Sequence, residues 1–441
     1  MARFAFKRLL LSLSACTMLP FAPAAARTAD NPASEVFSST VYALTNANVV
    51  DVDTGKVLPQ ATVVVSEGHI QSIGTAAAIP QGAKVLDMKG KFLAPGLMNM
   101  HVHLGLKLPG MQGALLANET LSAQALRMAA NARKSLLAGT TTVRLTGEEN
   151  GVDFELRRAI QSGEADGPRI KTAGGIISIT GGHGYIEADG ADALVNLARK
   201  QIKYGADFIK IATSGGISDS HGAIAGAVMT DAEISSLIDA SHRLGVKVTA
   251  HNGSSGAATQ ALKYGIDGFE HGYFLTPDNL KQMKAQGAWL VPTMVVSQPG
   301  ALEFYRKIGS PDWYLERVKS VGKEHWAMLQ TAIKLGVNIA LGSDQFPFEP
   351  NDGTVATVAE AELYAKAGMT SLQALQAATI QPARMLGIDS DVGRLKPGQY
   401  ADIIALDSNP AQDISALRTI SFVMKSGKVY RDDNRGIGSG N

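Results

Sequence analysis

Between residues 41 and 92, short apolar segments alternate with polar turns, and no helix-length period is present. Residues 46–51, 61–66 and 70–73 read as strands, separated by turns at Asp53-Thr54-Gly55 and Glu67-Gly68. The C-terminal stretch has the same character. Residues 402–406 and 422–425 are strand-like, with turns at Lys396-Pro397-Gly398 and Ser426-Gly427-Lys428. Two β-rich ends around a different middle predict one β-sandwich built from both termini.

The middle alternates apolar strands with helical stretches, the pattern of a parallel α/β sheet. Eight candidate strands cover 92–100, 140–145, 169–173, 208–212, 247–250, 268–270, 289–295 and 338–341. Helical stretches such as 121–137 and 231–244 fill the gaps. The fold class this predicts is α/β, a (β/α)8 barrel whose chemistry sits at the C-terminal strand ends. A doubly wound open sheet is the structural alternative.

The strand ends carry a coherent set of side chains. His101 and His103 end the first strand two residues apart, so both rings share one face, as two ligands of one metal ion would. Lys210 lies within Phe208-Ile209-Lys210-Ile211-Ala212, where a buried ammonium must find partners. His251, His271 and Asp344 end strands five, six and eight. Each has a plainer reading alone: a hydrogen-bonded core histidine, an ion-paired lysine, an aspartate capping a helix. Together on one rim they predict a metal site.

Composition narrows the class. The chain has 441 residues, 45% of them hydrophobic and 18% charged, which fits a folded enzyme rather than a disordered chain. A net charge of +1, with no basic stripe, points away from nucleic acid. Residues 1–26 read as a secretory signal. Arg3, Lys7 and Arg8 form its basic start, an apolar run follows, and Ala24-Ala25-Ala26 offers a cleavage site. The run is too short for a membrane span. Cleavage would leave 38 basic against 40 acidic residues, net −2, and no cysteine. The only cysteine, Cys16, ends Leu13-Ser14-Ala15-Cys16, which also reads as a lipoprotein box. Export to the periplasm or outside the cell is expected, with lipidation at Cys16 as the alternative. The expected division is a signal peptide at 1–26, the barrel at 95–384, and a β-sandwich assembled from 27–94 and 385–441.

With these residues in place, the mature chain resembles the amidohydrolase superfamily over nearly its whole length. Within it, the likeness is to the imidazolonepropionase-related dipeptidases, carboxypeptidases and ochratoxin hydrolases. The segments that carry it are Thr140-Thr141-Thr142-Val143-Arg144, Thr180-Gly181-Gly182-His183-Gly184, Lys210-Ile211-Ala212-Thr213-Ser214-Gly215-Gly216 and Asp391-Val392-Gly393-Arg394-Leu395-Lys396-Pro397-Gly398. Two departures concern pocket shape: Leu145-Thr146-Gly147 follows Arg144 where many relatives have Asp, and Gly253 stands where many have a second histidine. The resemblance implies two divalent ions, zinc in expectation. His101, His103 and Asp344 hold one, His251 and His271 the other, and a carbon dioxide-derived carbamate on Lys210 bridges them. It also implies a homo-oligomer.

The expected activity is cleavage of the C-terminal amide bond of dipeptides or N-acyl amino acids, with ochratoxin A as one candidate. Two metals sharing a hydroxide supply the nucleophile, and Asp344 moves the proton. His183 reads as a group for a substrate carboxylate or an oxyanion, or as a loop residue held by backbone. Tyr273 either bonds substrate or packs, and Arg144 either holds a carboxylate or forms a structural salt bridge. His221 lies in a long polar loop that either closes over substrate or is simply solvated. His69, His242 and His325 have no assigned role. The alternatives are a cyclic-amide hydrolase and an inactive metal-dependent binding protein.

Overall fold

The computed structural model describes residues 35–344 and 354–433. The expected signal segment and Cys16 lie outside the described residues. Strands are β1 (Tyr42–Val50), β2 (Val57–Ser66), β3 (His69–Gly74), β4 (Lys84–Asp87) and β5 (Phe92–Pro95), followed by β6 (Leu97–Val102), β7 (Thr140–Leu145) and β8 (Arg169–Thr172). Next come β9 (Ile177–Ser178), β10 (Ile186–Glu187), β11 (Ile209–Ala212), β12 (Val248–Asn252), β13 (Gly268–His271), β14 (Trp289–Val291) and β15 (Asn338–Ile339). The last three are β16 (Ile403–Leu406), β17 (Phe422–Lys425) and β18 (Lys428–Asp432).

Both chain ends build one sheet, ordered β18-β17-β16-β5-β1-β2-β3, with β4 also pairing β1. Alternate side chains such as Leu44, Val63, Ile70, Leu93, Ile403 and Phe422 bury into a core of its own. The β2–β3 hairpin turns on Glu67 (φ 49) and Gly68 (φ 74), two consecutive left-handed residues that suit the twist of a tight hairpin.

Residues 92–100 form two strands rather than the expected one. β5 pairs with β16 in the terminal sheet, and β6 opens the barrel. The change falls at Gly96, whose N–H donates to Asp402 O at 2.9 Å. A Cβ there would lie 2.2 Å from Thr141 Oγ1, so only glycine lets the chain pass between the sheets.

The parallel strands β6, β7 and β8 continue through β9, β11, β12, β13, β14 and β15. Strand three is interrupted: β8 pairs with β7, the chain turns at Gly174 (φ 71), and β9 pairs with β11. Strand seven stops at Val291, four residues short of the expected end. Pro292 has no N–H to continue a ladder, and Thr293 turns left-handed at φ 54. The Glu360 carboxylate then accepts from Met294 N and Val295 N at 2.7 and 2.8 Å. The ring closes where Met100 N donates to Leu341 O at 2.7 Å and Asp344 N to His101 O at 2.8 Å. The outer faces of the strands and the surrounding helices share the largest apolar core, which includes Ile209, Ile211, Val248 and Phe269. Among the described residues, no helix is long and apolar enough to cross a membrane.

Candidate active site

The strand ends gather the predicted ligands. His103 Nδ1 lies 2.6 Å from Gly147 O, which can only accept, so that nitrogen carries the proton and Nε2 keeps a lone pair. His101 Nδ1 lies 2.8 Å from Glu270 Oε2, which leaves its Nε2 equally free. The two Nε2 atoms approach to 3.2 Å, and Asp344 Oδ1 lies 3.4 and 3.3 Å from them. Three electron-pair donors thus converge, and neither ring points a proton inward. His271 Nδ1 is held by Thr293 Oγ1 at 2.7 Å. The ligand atoms of His101, His271 and Asp344 all lie within 4.8 Å of one another. His251 Nε2 contacts Gly215 O at 3.1 Å, and its buried Nδ1 has no hydrogen-bond partner among the described residues. Its ring stands 4.6 Å from that of His271.

This donor set fits divalent ions. Neutral imidazoles and a carboxylate are zinc-type ligands, and a bound cation would satisfy the orphaned His251 nitrogen. Burial pushes His103 down to about 4, so it is neutral at pH 7. Burial also lowers His251 and His271, aided by neighbouring rings. Burial pushes the Asp344 carboxyl up, but His101, His103 and Lys210 outweigh it and hold the group at about 2. Lys210 is 1% exposed. Burial lowers its amine to about 8, against the pull of Glu270.

The rim is strained at and beside two of the predicted ligands. His271 (φ 65), Thr293 (φ 54) and Asp344 (φ 51) are non-glycine residues in the left-handed region. Such conformations cost about 1–3 kcal/mol each and persist where surrounding contacts enforce them. Asn99 is one brace: its side chain bonds Ser343 Oγ at 2.8 Å and Thr357 Oγ1 at 3.0 Å, tying strand one to the end of strand eight. Glu148 is another, accepting from Leu104 N at 2.5 Å and Gly105 N at 3.0 Å just past His103.

The six predicted ligands line a cleft of about 190 Å³ that also includes His183 and Tyr273. His183 packs against His251 with ring centroids 4.0 Å apart and planes tilted by 39°, and its Nδ1 pairs with Asp219 Oδ1 at 2.8 Å. A Cβ on Gly216 would lie 2.5 Å from the His183 ring, which accounts for one glycine of the Thr-Ser-Gly-Gly segment. Tyr273 stacks on His271 at 5.2 Å. Its buried hydroxyl has no partner among the described residues, and burial, with Asp344 next, keeps it protonated.

Other candidates lie elsewhere. Arg144 does not line the cleft; it is buried inside the barrel, paired with Glu270. Of its two readings, the salt bridge is the one present. His221 sits exposed against Ser220 Oγ and is not among the cleft residues. His325, with no role expected, donates from Nε2 to Pro292 O at 2.7 Å and packs edge-on against Tyr273. Glu270, Asp219 and Tyr314 were not anticipated as members of the site. A carboxylate inside the apolar run Gly268-Phe269-Glu270 was the available signal for Glu270, as Lys210 was on strand four. Tyr314 comes from a distant helix and carried none.

A barrel that gathers histidine, lysine and aspartate at its strand ends offers the donor set of a metal-assisted hydrolase. The amidohydrolase family model matches residues 92–430, and the chain belongs to that family. An ochratoxinase from Aspergillus niger is 27% identical over 414 residues, covering 86% of this chain and 84% of that protein. The structure of a Xaa-Pro dipeptidase with bound methionine superposes with a TM-score of 0.80 at 27% identity, covering 89% of this chain and all of that one. A prolidase complexed with N-methylphosphonate-L-proline gives 0.81 at 26% identity, with the same coverage. The protein is a hydrolase acting on C–N amide bonds.

Proposed function

We propose that the protein is an exported, binuclear hydrolase that cleaves the amide bond next to a free C-terminal carboxylate. Dipeptides and N-acyl amino acids, ochratoxin A among them, are the substrate class. The observation that carries this reading is the convergence of the His101 and His103 Nε2 atoms on Asp344 Oδ1, beside two groups suited to bind substrate, Tyr273 and His183. His101, His103 and Asp344 would hold one ion, zinc in expectation, and His251 and His271 a second, with Lys210 between them as a carbamate. Such ions lower the pKa of a water and polarise a carbonyl.

The protein's own groups do the rest. Asp344, ionised at neutral pH, accepts the proton of the attacking water and passes it to the leaving nitrogen. The protonated Tyr273 hydroxyl donates to the oxygen that gains charge. His183, whose Nδ1 donates to Asp219, would donate from Nε2 to the substrate carboxylate as an imidazolium, the form in which both ring nitrogens carry protons. An ochratoxinase and a Xaa-Pro dipeptidase among the relatives support a scissile bond of this kind.

Matched substrates that differ only by a C-terminal amide test the reading. Amidation should lower kcat/KM by about 30- to 150-fold, the 2–3 kcal/mol of a charge-assisted contact. In His183→Ala the further loss on amidation should be much smaller, because the partner is already gone. Equal cleavage of acid and amide by the wild type would remove the carboxypeptidase reading and bring the cyclic-amide hydrolase forward.

A further inference from the structure

We infer that Arg144 and Glu270 form a buried positioning pair that clamps His101 at two points, and that Arg144 serves this clamp rather than the substrate. The inference rests on His101 being a metal ligand. Arg144 Nε donates to Met100 O at 2.6 Å, so it holds the peptide that leads into His101. Its Nη2 donates to Glu270 Oε1, and Glu270 Oε2 holds His101 Nδ1 at 2.8 Å. Backbone and ring of one ligand are therefore fixed by a single pair. Thr249 Oγ1 adds a third bond to Glu270 at 2.7 Å, and the guanidinium lies 4.8 Å over the Phe208 ring. The clamp thus joins strands one, two, four, five and six.

Burial makes the pair indispensable to itself. Glu270 is 0% exposed and Arg144 3%. Either charge alone in that interior would be strongly unfavourable, so neither residue is free to leave its partner for a substrate. Partners that hold the far nitrogen of a ligating histidine set its tautomer and aim, and their loss lowers metal affinity by about 10- to 100-fold.

Arg144 also borders a cavity of about 110 Å³ on the strand-start side, opposite the cleft, together with Phe208, Thr249 and Trp289. Guanidinium ion can reach the vacated position from that side in an Arg144→Ala variant. This makes chemical rescue a direct test.

The measurement is zinc affinity of the full chain by competition with a chromophoric chelator, alongside the ¹⁵N signal of His101 Nδ1 in the metal-free protein. Glu270→Gln and Arg144→Ala should each bind zinc about 10- to 100-fold more weakly and shift the Nδ1 signal. Guanidinium chloride at millimolar levels should restore affinity in Arg144→Ala and change nothing in Glu270→Gln. The free-acid preference should stay at its wild-type ratio in whatever activity remains. Wild-type zinc affinity in both variants overturns the inference. So does a collapse of the acid-over-amide preference in Arg144→Ala with zinc affinity intact, because that places the arginine on substrate. If Arg144→Ala does not fold, Arg144→Lys decides: a lysine cannot hold Met100 O and Glu270 together, so unchanged affinity there also overturns it. A wild-type protein that binds no zinc would instead defeat the proposed function and is distinguished at the first titration.

Discussion

Replacing Tyr273 with Phe should weaken the reaction while leaving the fold at least as stable. The ring is 1% exposed, stacks on His271 at 5.2 Å and packs edge-on to His325 at 4.8 Å. Phenylalanine keeps all of these contacts. Only the hydroxyl is lost, and it has no hydrogen-bond partner among the described residues. A buried polar group left unmatched costs about 1–3 kcal/mol, so Tyr273→Phe should unfold in urea with a stability gain of about 1 kcal/mol. In the proposed reaction the hydroxyl would gain a partner, the substrate oxygen that becomes negative. Losing one such donor costs about 10²- to 10³-fold in kcat, or about 2.7–4 kcal/mol, with little change in KM. Steady-state hydrolysis of a dipeptide and urea unfolding of the metal-free protein measure both sides. Activity within threefold of wild type would refute the donor role. A loss of more than 1 kcal/mol in stability would show that the hydroxyl is bonded within the protein.

Two further outcomes follow from single residues. Lys210→Ala should lose most activity and metal, short carboxylic acids should partly restore both, and Lys210→Arg should not, since a carbamate bridge needs a primary amine. Wild-type activity in Lys210→Arg would exclude the carbamate. His103 titrates near 4 in the fold against an ordinary 6.5, chiefly through burial. The unfolded chain therefore binds the extra proton between those values, so this stability is present above pH 6.5 and is lost as pH falls towards 4. Metal-free wild type should lose about 3 kcal/mol through this group across that window, and His103→Gln should show a correspondingly shallower decline in urea unfolding. Parallel pH profiles for the two proteins would contradict it.

Much of this was legible along the chain because the deciding interactions are local. The helix Leu121–Leu137 and the strands Thr140–Leu145 and Phe422–Lys425 lie where their apolar patterns put them. The gathering of the six strand-end residues on one cleft was readable because a barrel places strand ends on one rim, whatever the loops do. Boundaries failed where backbone chemistry overrode hydrophobicity. Gly96 divides an apolar run between two sheets, and Pro292 with left-handed Thr293 ends strand seven early. Side-chain partnerships were not legible, because they span the fold. Glu270 reaches His101 across 169 residues, and His183 finds Asp219 across 36. Arg144 looked available to substrate only because its partner could not be seen from strand two alone.

The cluster of His101, His103, Lys210, His251, His271 and Asp344 is proposed as a two-metal hydrolytic centre. Metal analysis of the purified protein, paired with dipeptide hydrolysis on the same sample before and after chelation, tests it most directly. Close to two divalent ions per chain are expected, with loss of activity as they are removed and recovery when zinc is returned. A metal-free sample that hydrolyses at the full rate would contradict it.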